Sequence, residues 1–245
     1  TAKNVVVVGA GPAGLEAARV AAERGHSVTL YEKKRSVGGL LEFANNVKGP
    51  HENLSVLRSY FERQMEVLGV NVMLNTEATA DIIAEASPDI VIAATGGVRD
   101  TLGLSDTAGT KVVGIDDFMM ADIAEEVVIV GSNVQAIDAA MYLLAQGKHV
   151  QVVTPNAASA IGAGHSFWVK TFTQPNMKAL GVRFWPEATV TAVNDGSVTV
   201  KTATGIEQEI ACGTVVEALD CLPNDNFSTG LSCEVVTVGD AARPF

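Results

Sequence analysis

Cysteines, aromatic rings and positive charges are all scarce in this chain of 245 residues. The three cysteines, Cys212, Cys221 and Cys233, are an odd number without close spacing, which supports neither a disulfide framework nor a metal site. Each is expected to be a small buried hydrophobe in a reducing compartment, with the cytoplasm as the default. His26, His51, His149 and His165 show no ligand spacing and are assigned no role. Lysine and arginine total 17 against 28 acids, a net charge of −11 that argues against nucleic acid or an anionic membrane as partner. No apolar run approaches the ~18 residues a membrane span needs, and no signal-peptide pattern is present. No convincing acid/base dyad stands out either.

What is abundant is valine, alanine and glycine. With 47% hydrophobic residues but only 5% aromatics, the chain has the profile of parallel sheets covered by Ala-rich helices. Its length suits one large or two ordinary domains. The most informative stretch is Val5-Val6-Val7-Val8-Gly9-Ala10-Gly11-Pro12-Ala13-Gly14: a strand, a Gly-x-Gly-x-x-Gly turn and the start of a helix running to about Glu23 and closing at Gly25. A second strand, Ser27 to Tyr31, delivers Glu32, 21 positions after Gly11. This order of elements holds the ADP half of FAD or NAD. Gly9 permits the tight turn, Gly11 lets backbone approach a pyrophosphate, and Gly14 lets helix pack on strand. The helix N-terminus offers unpaired N–H groups and a positive dipole end, and Glu32 can accept hydrogen bonds from ribose hydroxyls.

The pattern recurs. Glu126 to Val130 reads as a strand, Gly131-Ser132-Asn133-Val134-Gln135-Ala136 as the turn, and a helix runs through Ala145 to Gly147 before a strand from His149 to Val153. Thr154 lies 21 positions after Asn133, matching the spacing of Glu32 from Gly11. The second copy is altered as a binding site. Asn133 stands where the middle glycine would be and is expected to crowd the pyrophosphate position. Ala136 replaces the third glycine. Thr154 offers no carboxylate to a ribose, and no Arg follows within ten residues for a 2′-phosphate. Nicotinamide binding and a retained scaffold without it are both open on these residues.

These turns, together with Gly38-Gly39, the stretch Tyr60 to Val72 (YFERQMEVLGVNV), Ile92-Ala93-Ala94-Thr95-Gly96-Gly97 and Val238-Gly239-Asp240-Ala241, cover nearly the whole chain. In that order they resemble the C-terminal FAD/NAD(P)-binding module of the flavin and iron–sulfur oxidoreductases related to 2,4-dienoyl-CoA reductase, 2-enoate reductase and trimethylamine dehydrogenase. The resemblance implies an α/β fold of two nested Rossmann-like domains, with disulfide-reductase-like topology but without the redox cysteines. It places the FAD (or ADP) domain at residues 1–100 plus 213–245 and an inserted NAD(P)-type domain at 101–212. It implies cofactor binding by Gly9, Gly11, Pro12, Ala13, Gly14, Glu32, Lys33, Gly38, Gly39, Leu40, Thr95, Gly96, Gly239 and Asp240 for FAD, with Asp240 on the ribityl chain, and by Gly131, Asn133 and Ala136 for NAD(P)H. Val215 to Leu219 and Val235 to Val238 are expected to return to the first sheet. Val182-Phe184, Thr189-Val193, Ser197-Thr202 and Glu207-Ala211 are expected to form a small meander, with a hairpin at Asp195-Gly196.

Departures narrow the reading. Gly38-Gly39 is followed by Leu40-Leu41-Glu42-Phe43, and residues 131–160 contain no Cys, so dithiol chemistry is excluded. The FMN barrel and the cysteine-ligated iron–sulfur cluster of the resembling enzymes have no counterpart here. Resembling proteins also continue past the position of Asp240 with a helix, and Asn224 to Glu234 is short. The chain is therefore expected to be a piece of a larger oxidoreductase. The function implied is an electron-transfer module in which hydride passes from NAD(P)H to FAD and electrons continue to an iron–sulfur/FMN part outside the chain. The alternatives are an ADP- or FAD-binding structural module, as in amine dehydrogenases, and a glutamate-synthase-type electron-transfer subunit. Leu54, Leu57, Phe61, Met65 and Leu68 are expected as a core-facing helical stripe, Trp168 and Trp185 as packed rings, and Val37 to Pro50 as lining the cofactor cleft. Parent substrate, NADH against NADPH and oligomeric state are left open.

Overall fold

The computed structural model describes residues 1–49, 52–224 and 231–244. The elements run β1 (Asn4–Val8), α1 (Pro12–Glu23), β2 (Ser27–Tyr31), α2 (Leu40–Lys48), α3 (Leu54–Val67), β3 (Asn71–Met73), α4 (Ala80–Ala86), β4 (Ile90–Ala93) and β5 (Val98–Arg99). They continue with β6 (Lys111–Gly114), β7 (Glu126–Val130), α5 (Val134–Ala145), β8 (His149–Val153), α6 (Phe167–Ala179), β9 (Arg183–Trp185), β10 (Ala188–Asn194), β11 (Ser197–Thr202), β12 (Glu207–Ala211), β13 (Thr214–Glu217), β14 (Cys221–Leu222) and β15 (Glu234–Thr237). The chain divides into two units, Thr1–Val98 with Cys221–Phe245, and Arg99–Asp220.

The first unit is built on a sheet of order β15-β4-β1-β2-β3, every described pairing parallel. The valine run of β1 is explained by its two faces. Val5 and Val7 pack with Leu15 and Ala18 of α1 and Phe61 and Met65 of α3. Val6 and Val8 pack on the other side with Ile83 of α4 and Val91. A strand buried on both faces needs unbroken apolar residues rather than alternation, and each buried valine contributes about 1.5–3 kcal/mol. Phe61, Met65 and Leu68 face this core as expected, whereas Leu57 is 39% exposed. Residues 40–48 form α2, and Pro50 lies outside the described residues, as does most of the Asn224 to Glu234 stretch.

The second unit repeats the plan, with sheet order β6-β13-β7-β8-β9, again parallel in every described pairing. The three-stranded antiparallel sheet β10-β11-β12 covers one face, burying Val190, Val198, Val200 and Ile210 against Val128, Val130 and Val153. Asn194 pairs with Ser197 around the Asp195-Gly196 turn. Two expectations fail here. Thr214–Glu217 does not return to the first sheet but lies between β6 and β7, with Val215 and Val216 fully buried. The second unit accordingly runs to Asp220 rather than 212. The strand expected at Val182-Phe184 is not part of the meander: Arg183–Trp185 forms the edge strand beside β8. Trp185 packs on this core, with the Arg183 guanidinium 4.3 Å from its ring centroid; the side chain of Trp168 lies outside the described residues. Among the described residues, no helix is long and apolar enough to cross a membrane.

Candidate dinucleotide-binding turns

The first turn is closed by backbone contacts that only glycine allows. Gly9, at φ +97°, donates its N–H to Tyr31 O at 2.8 Å, and a Cβ on it would strike Ala94 O. A Cβ on Gly14 would strike Gly9 O, so α1 sits directly on the end of β1. Gly11 differs: no atom lies within 4 Å of its Cβ position, and as N-cap of α1 it makes no side-chain hydrogen bond. Pro12 at the first helical position has no N–H to satisfy. The N–H groups at the start of α1 therefore have no side-chain cap among the described residues, the arrangement that attracts an anion.

Four other segments of the first unit meet this turn. Glu32, 8% exposed, accepts the Ala10 N–H at 2.7 Å on Oε2 and the Lys34 N–H at 2.8 Å on Oε1. Each carboxylate oxygen keeps a further lone pair, and Lys33 beside it is exposed. Gly38 donates to Ala10 O at 2.8 Å, and the Cβ position of Gly39 lies 3.0 Å from Gly11 Cα. Leu40 then opens α2. The Cβ position of Gly239 is 2.6 Å from Ala13 Cβ, which brings the Gly239–Asp240 turn to the start of α1. Thr95 lies against Gly9, and its Oγ1 is buried with no hydrogen-bond partner among the described residues, with Gly96 following at φ +75°. A buried hydroxyl without a partner is costly unless a ligand completes it. The residues expected to hold FAD are thus gathered in one place.

The second turn repeats the backbone contacts of the first. Gly131 N donates to Val153 O at 2.9 Å, and the Cβ position of Gly131 meets Ala218 O. Gly162 N donates to Ser132 O at 2.6 Å, in the role of Gly38 and Ala10. Gly164 crowds Val134 as Gly39 crowds Gly11. Sequence reading missed this glycine pair, although Gly-x-Gly soon after a second βαβ copy was a usable signal. The decisive difference is Asn133. Its Oδ1 accepts the Ala136 N–H at 3.0 Å, while its Nδ2 donates to Ala218 O and Asp220 Oδ1, both at 3.0 Å. The side chain caps α5 and uses an N–H group that the first turn leaves open. At the position of Glu32, fully buried Thr154 donates to Ser132 Oγ at 3.0 Å, and Asn156 Nδ2 donates to the same oxygen at 3.1 Å.

A cavity of about 280 Å³ in the second unit is lined by Glu126, Lys148, His149, Gln151 and Arg183, near the starts of β7, β8 and β9 and away from the turn. There the Glu126 carboxylate, 2.6 Å from His149 Nδ1, raises the His149 pKa above its ordinary value. Cys212 is buried and its thiol pKa is pushed up to about 11 by that burial.

The family described as pyridine nucleotide-disulphide oxidoreductase matches residues 3–239. The chain is 39% identical over 157 residues to an NADH oxidase of Thermoanaerobacter brockii, covering 62% of this chain and 24% of that protein. It is 37% identical over 153 residues to a cinnamate reductase of Clostridium sporogenes, covering 62% and 23%. The solved structure of a 2-naphthoyl-CoA reductase superposes with a TM-score of 0.86 at 32% identity, covering 98% of this chain and 37% of that one. The chain thus spans about a quarter of the length of these curated relatives.

Proposed function

The chain belongs to the pyridine nucleotide-disulphide oxidoreductase family, a family of FAD- and NAD(P)-binding oxidoreductase domains, and from this we propose that its first unit holds the ADP half of FAD. The observation that carries the reading is the convergence of an uncapped helix start, Gly38-Gly39, Glu32, the unpartnered Thr95 hydroxyl and Gly239–Asp240 on one turn. These residues fit the group. The bare Gly11 admits a pyrophosphate, and the N–H groups of Ala13 and Gly14 donate to it. The remaining lone pairs of Glu32 accept from ribose hydroxyls, the Thr95 hydroxyl gains a partner, and Asp240 accepts from the ribityl chain. Lys33, Leu40 and Gly96 are the chain neighbours of Glu32, Gly39 and Thr95.

When bound, FAD supplies the exchange between hydride and single-electron chemistry, so no protein nucleophile is needed. We read the chain as the dinucleotide-binding module of a larger flavoprotein oxidoreductase. In that enzyme electrons arrive from NAD(P)H held by Gly131, Asn133 and Ala136 and leave to an iron–sulfur/FMN part outside this chain. Support comes from the duplicated fold, from relatives named as oxidoreductases and from the small share of their length that this chain spans. A reducing cytoplasm is the compartment we propose, supported by an odd number of cysteines without close spacing. A second reading, an ADP- or FAD-binding module without nicotinamide turnover, is favoured by the Asn133 cap and by Thr154 in place of a carboxylate.

Both readings are tested by absorbance of the purified chain mixed with FAD and passed through gel filtration. A flavin band that travels with the protein and bleaches on anaerobic addition of NADH or NADPH supports the first reading. A retained band that neither reductant bleaches supports the second. Retention of neither FAD nor ADP would refute both.

A further inference from the structure

We propose that Arg58, on α3, is a phosphate-binding residue of the first turn and supplies a positive charge that the turn itself lacks; the inference rests on the assignment of an ADP-containing dinucleotide to the first unit. The argument starts at Gly38, which is bonded directly to Ala10, the residue between Gly9 and Gly11. Gly38 sits at φ +119°, and a Cβ on it would lie 3.1 Å from Arg58 Cδ and 3.4 Å from Arg58 Cγ. The aliphatic stem of Arg58 therefore runs along the bare face of Gly38, while Gly39 lies on Gly11. Helix α3 delivers an arginine to the loop that borders the open helix start.

The charge balance leaves a place for it. A pyrophosphate brings negative charge that a helix N-terminus, equivalent to about half a unit of positive charge, does not match. The residues after the glycine pair, Leu40 and Leu41, carry none. Lys33, Lys34 and Arg35 follow Glu32, where the ribose is expected. Glu42, the acid in the first turn of α2, accepts a hydrogen bond from Ser36 at 3.4 Å. Arg58 itself is paired only loosely. Its Nε lies 3.4 Å from Glu62 Oε1 in an i,i+4 pair whose side chains are 37% and 43% exposed. Its Nη groups make no hydrogen bond among the described residues. A guanidinium so placed can present both Nη groups to a phosphate in the bidentate geometry for which arginine is suited.

The test is calorimetric titration of the whole chain, wild type, Arg58→Gln, Arg58→Met and Glu62→Gln, with ADP as one probe and adenosine, which has no phosphate, as the other. Arg58→Gln is expected to weaken ADP binding about ten- to a hundredfold and to flatten its dependence on salt, while adenosine binding stays within about twofold. Arg58→Met keeps the stem on Gly38 and is expected to behave like Arg58→Gln; Glu62→Gln is expected to bind ADP as wild type does. Equal ADP affinity in wild type and Arg58→Met would overturn the inference. So would a loss of ADP and adenosine in the same ratio, which is the signature of a collapsed loop. A wild-type chain that binds neither ADP nor FAD would overturn the dinucleotide assignment and the role of Arg58 together.

Discussion

Replacing Asn133 by alanine removes three hydrogen bonds at once: one from the Ala136 N–H to Oδ1, and two from Nδ2 to Ala218 O and the Asp220 carboxylate. Loss of an Asn N-cap costs about 1 kcal/mol. The part-buried bond to Ala218 O adds about 0.5–1 kcal/mol, and the exposed bond to Asp220 adds least. The expected total is about 2 kcal/mol, confined to the second unit. Asn133→Asp separates the contributions, because it keeps an acceptor for Ala136 but loses both donors and sets a second carboxylate beside Asp220; a cost of about 1 kcal/mol is expected for it. Urea unfolding followed by tryptophan fluorescence measures this selectively. Trp168 and Trp185 both lie in Arg99–Asp220, so the signal reports the second unit even where the two units melt separately. An Asn133→Ala unfolding free energy within about 0.5 kcal/mol of wild type, at unchanged m-value, would refute the claim that this side chain holds the start of α5. The converse exchange, Gly11→Asn, offers Gly14 the same acceptor in the first unit. It is expected to stabilise that unit by a few tenths of a kcal/mol, about the Gly-to-Asn difference at an N-cap, and to weaken ADP binding, because the side chain competes with phosphate for the same N–H.

Three further outcomes are expected. Glu32→Ala weakens FAD and ADP binding alike by about tenfold or more, since it removes the carboxylate proposed to accept from the ribose and frees the Ala10 and Lys34 N–H groups; unchanged affinity in a titration would remove Glu32 from the site. The His149–Glu126 pair joins directly opposed residues of β8 and β7, and its raised histidine pKa gives its contribution a definite sign with pH. The contribution is present in full below the unfolded histidine value near 6.5 and is lost as pH rises through the higher folded value, so Glu126→Gln should lower the unfolding midpoint at pH 6 and leave it unchanged at pH 9. With its thiol pushed up to about 11, Cys212 should resist a thiol reagent at pH 8 in the folded chain while the half-buried Cys221 and Cys233 react, all three reacting in urea; early labelling of Cys212, read by mass spectrometry of peptides, would contradict its burial.

The two βαβ copies were legible because their signals are local: an apolar strand, glycines at fixed spacing and an amphipathic helix all fall within about 30 residues. The convergence on the first turn could be anticipated only by recognising five separated motifs in order. What escaped was non-local. Val215 and Val216 suit the middle of either sheet, and only pairing with Lys111–Gly114 and Glu126–Val130 decides between them. Arg183–Trp185 is three residues long, too short for a pattern to separate a sheet edge from a meander. Asn133 was recognised as an obstacle to phosphate. Its partners Ala218 and Asp220, 85 and 87 positions away, gave no sign that it would cap its own helix. Arg58 lies on a helix whose pattern reports only the core-facing side, so its packing on Gly38 has no sequence signature.

The contrast between the two helix starts has a consequence for how the protein matures in a cell. The start of α5 is complete as synthesised, because Asn133 travels with the chain and serves the exposed N–H as soon as the helix forms. The start of α1 has no such companion, and the Thr95 hydroxyl waits beside it. Whatever binds there adds RT ln(1 + [L]/Kd) to the stability of one unit and nothing to the other. If the first unit holds a nucleotide as proposed, the supply of that nucleotide sets the stability of that unit, and a chain without it would open first there, where quality-control proteases could cut it.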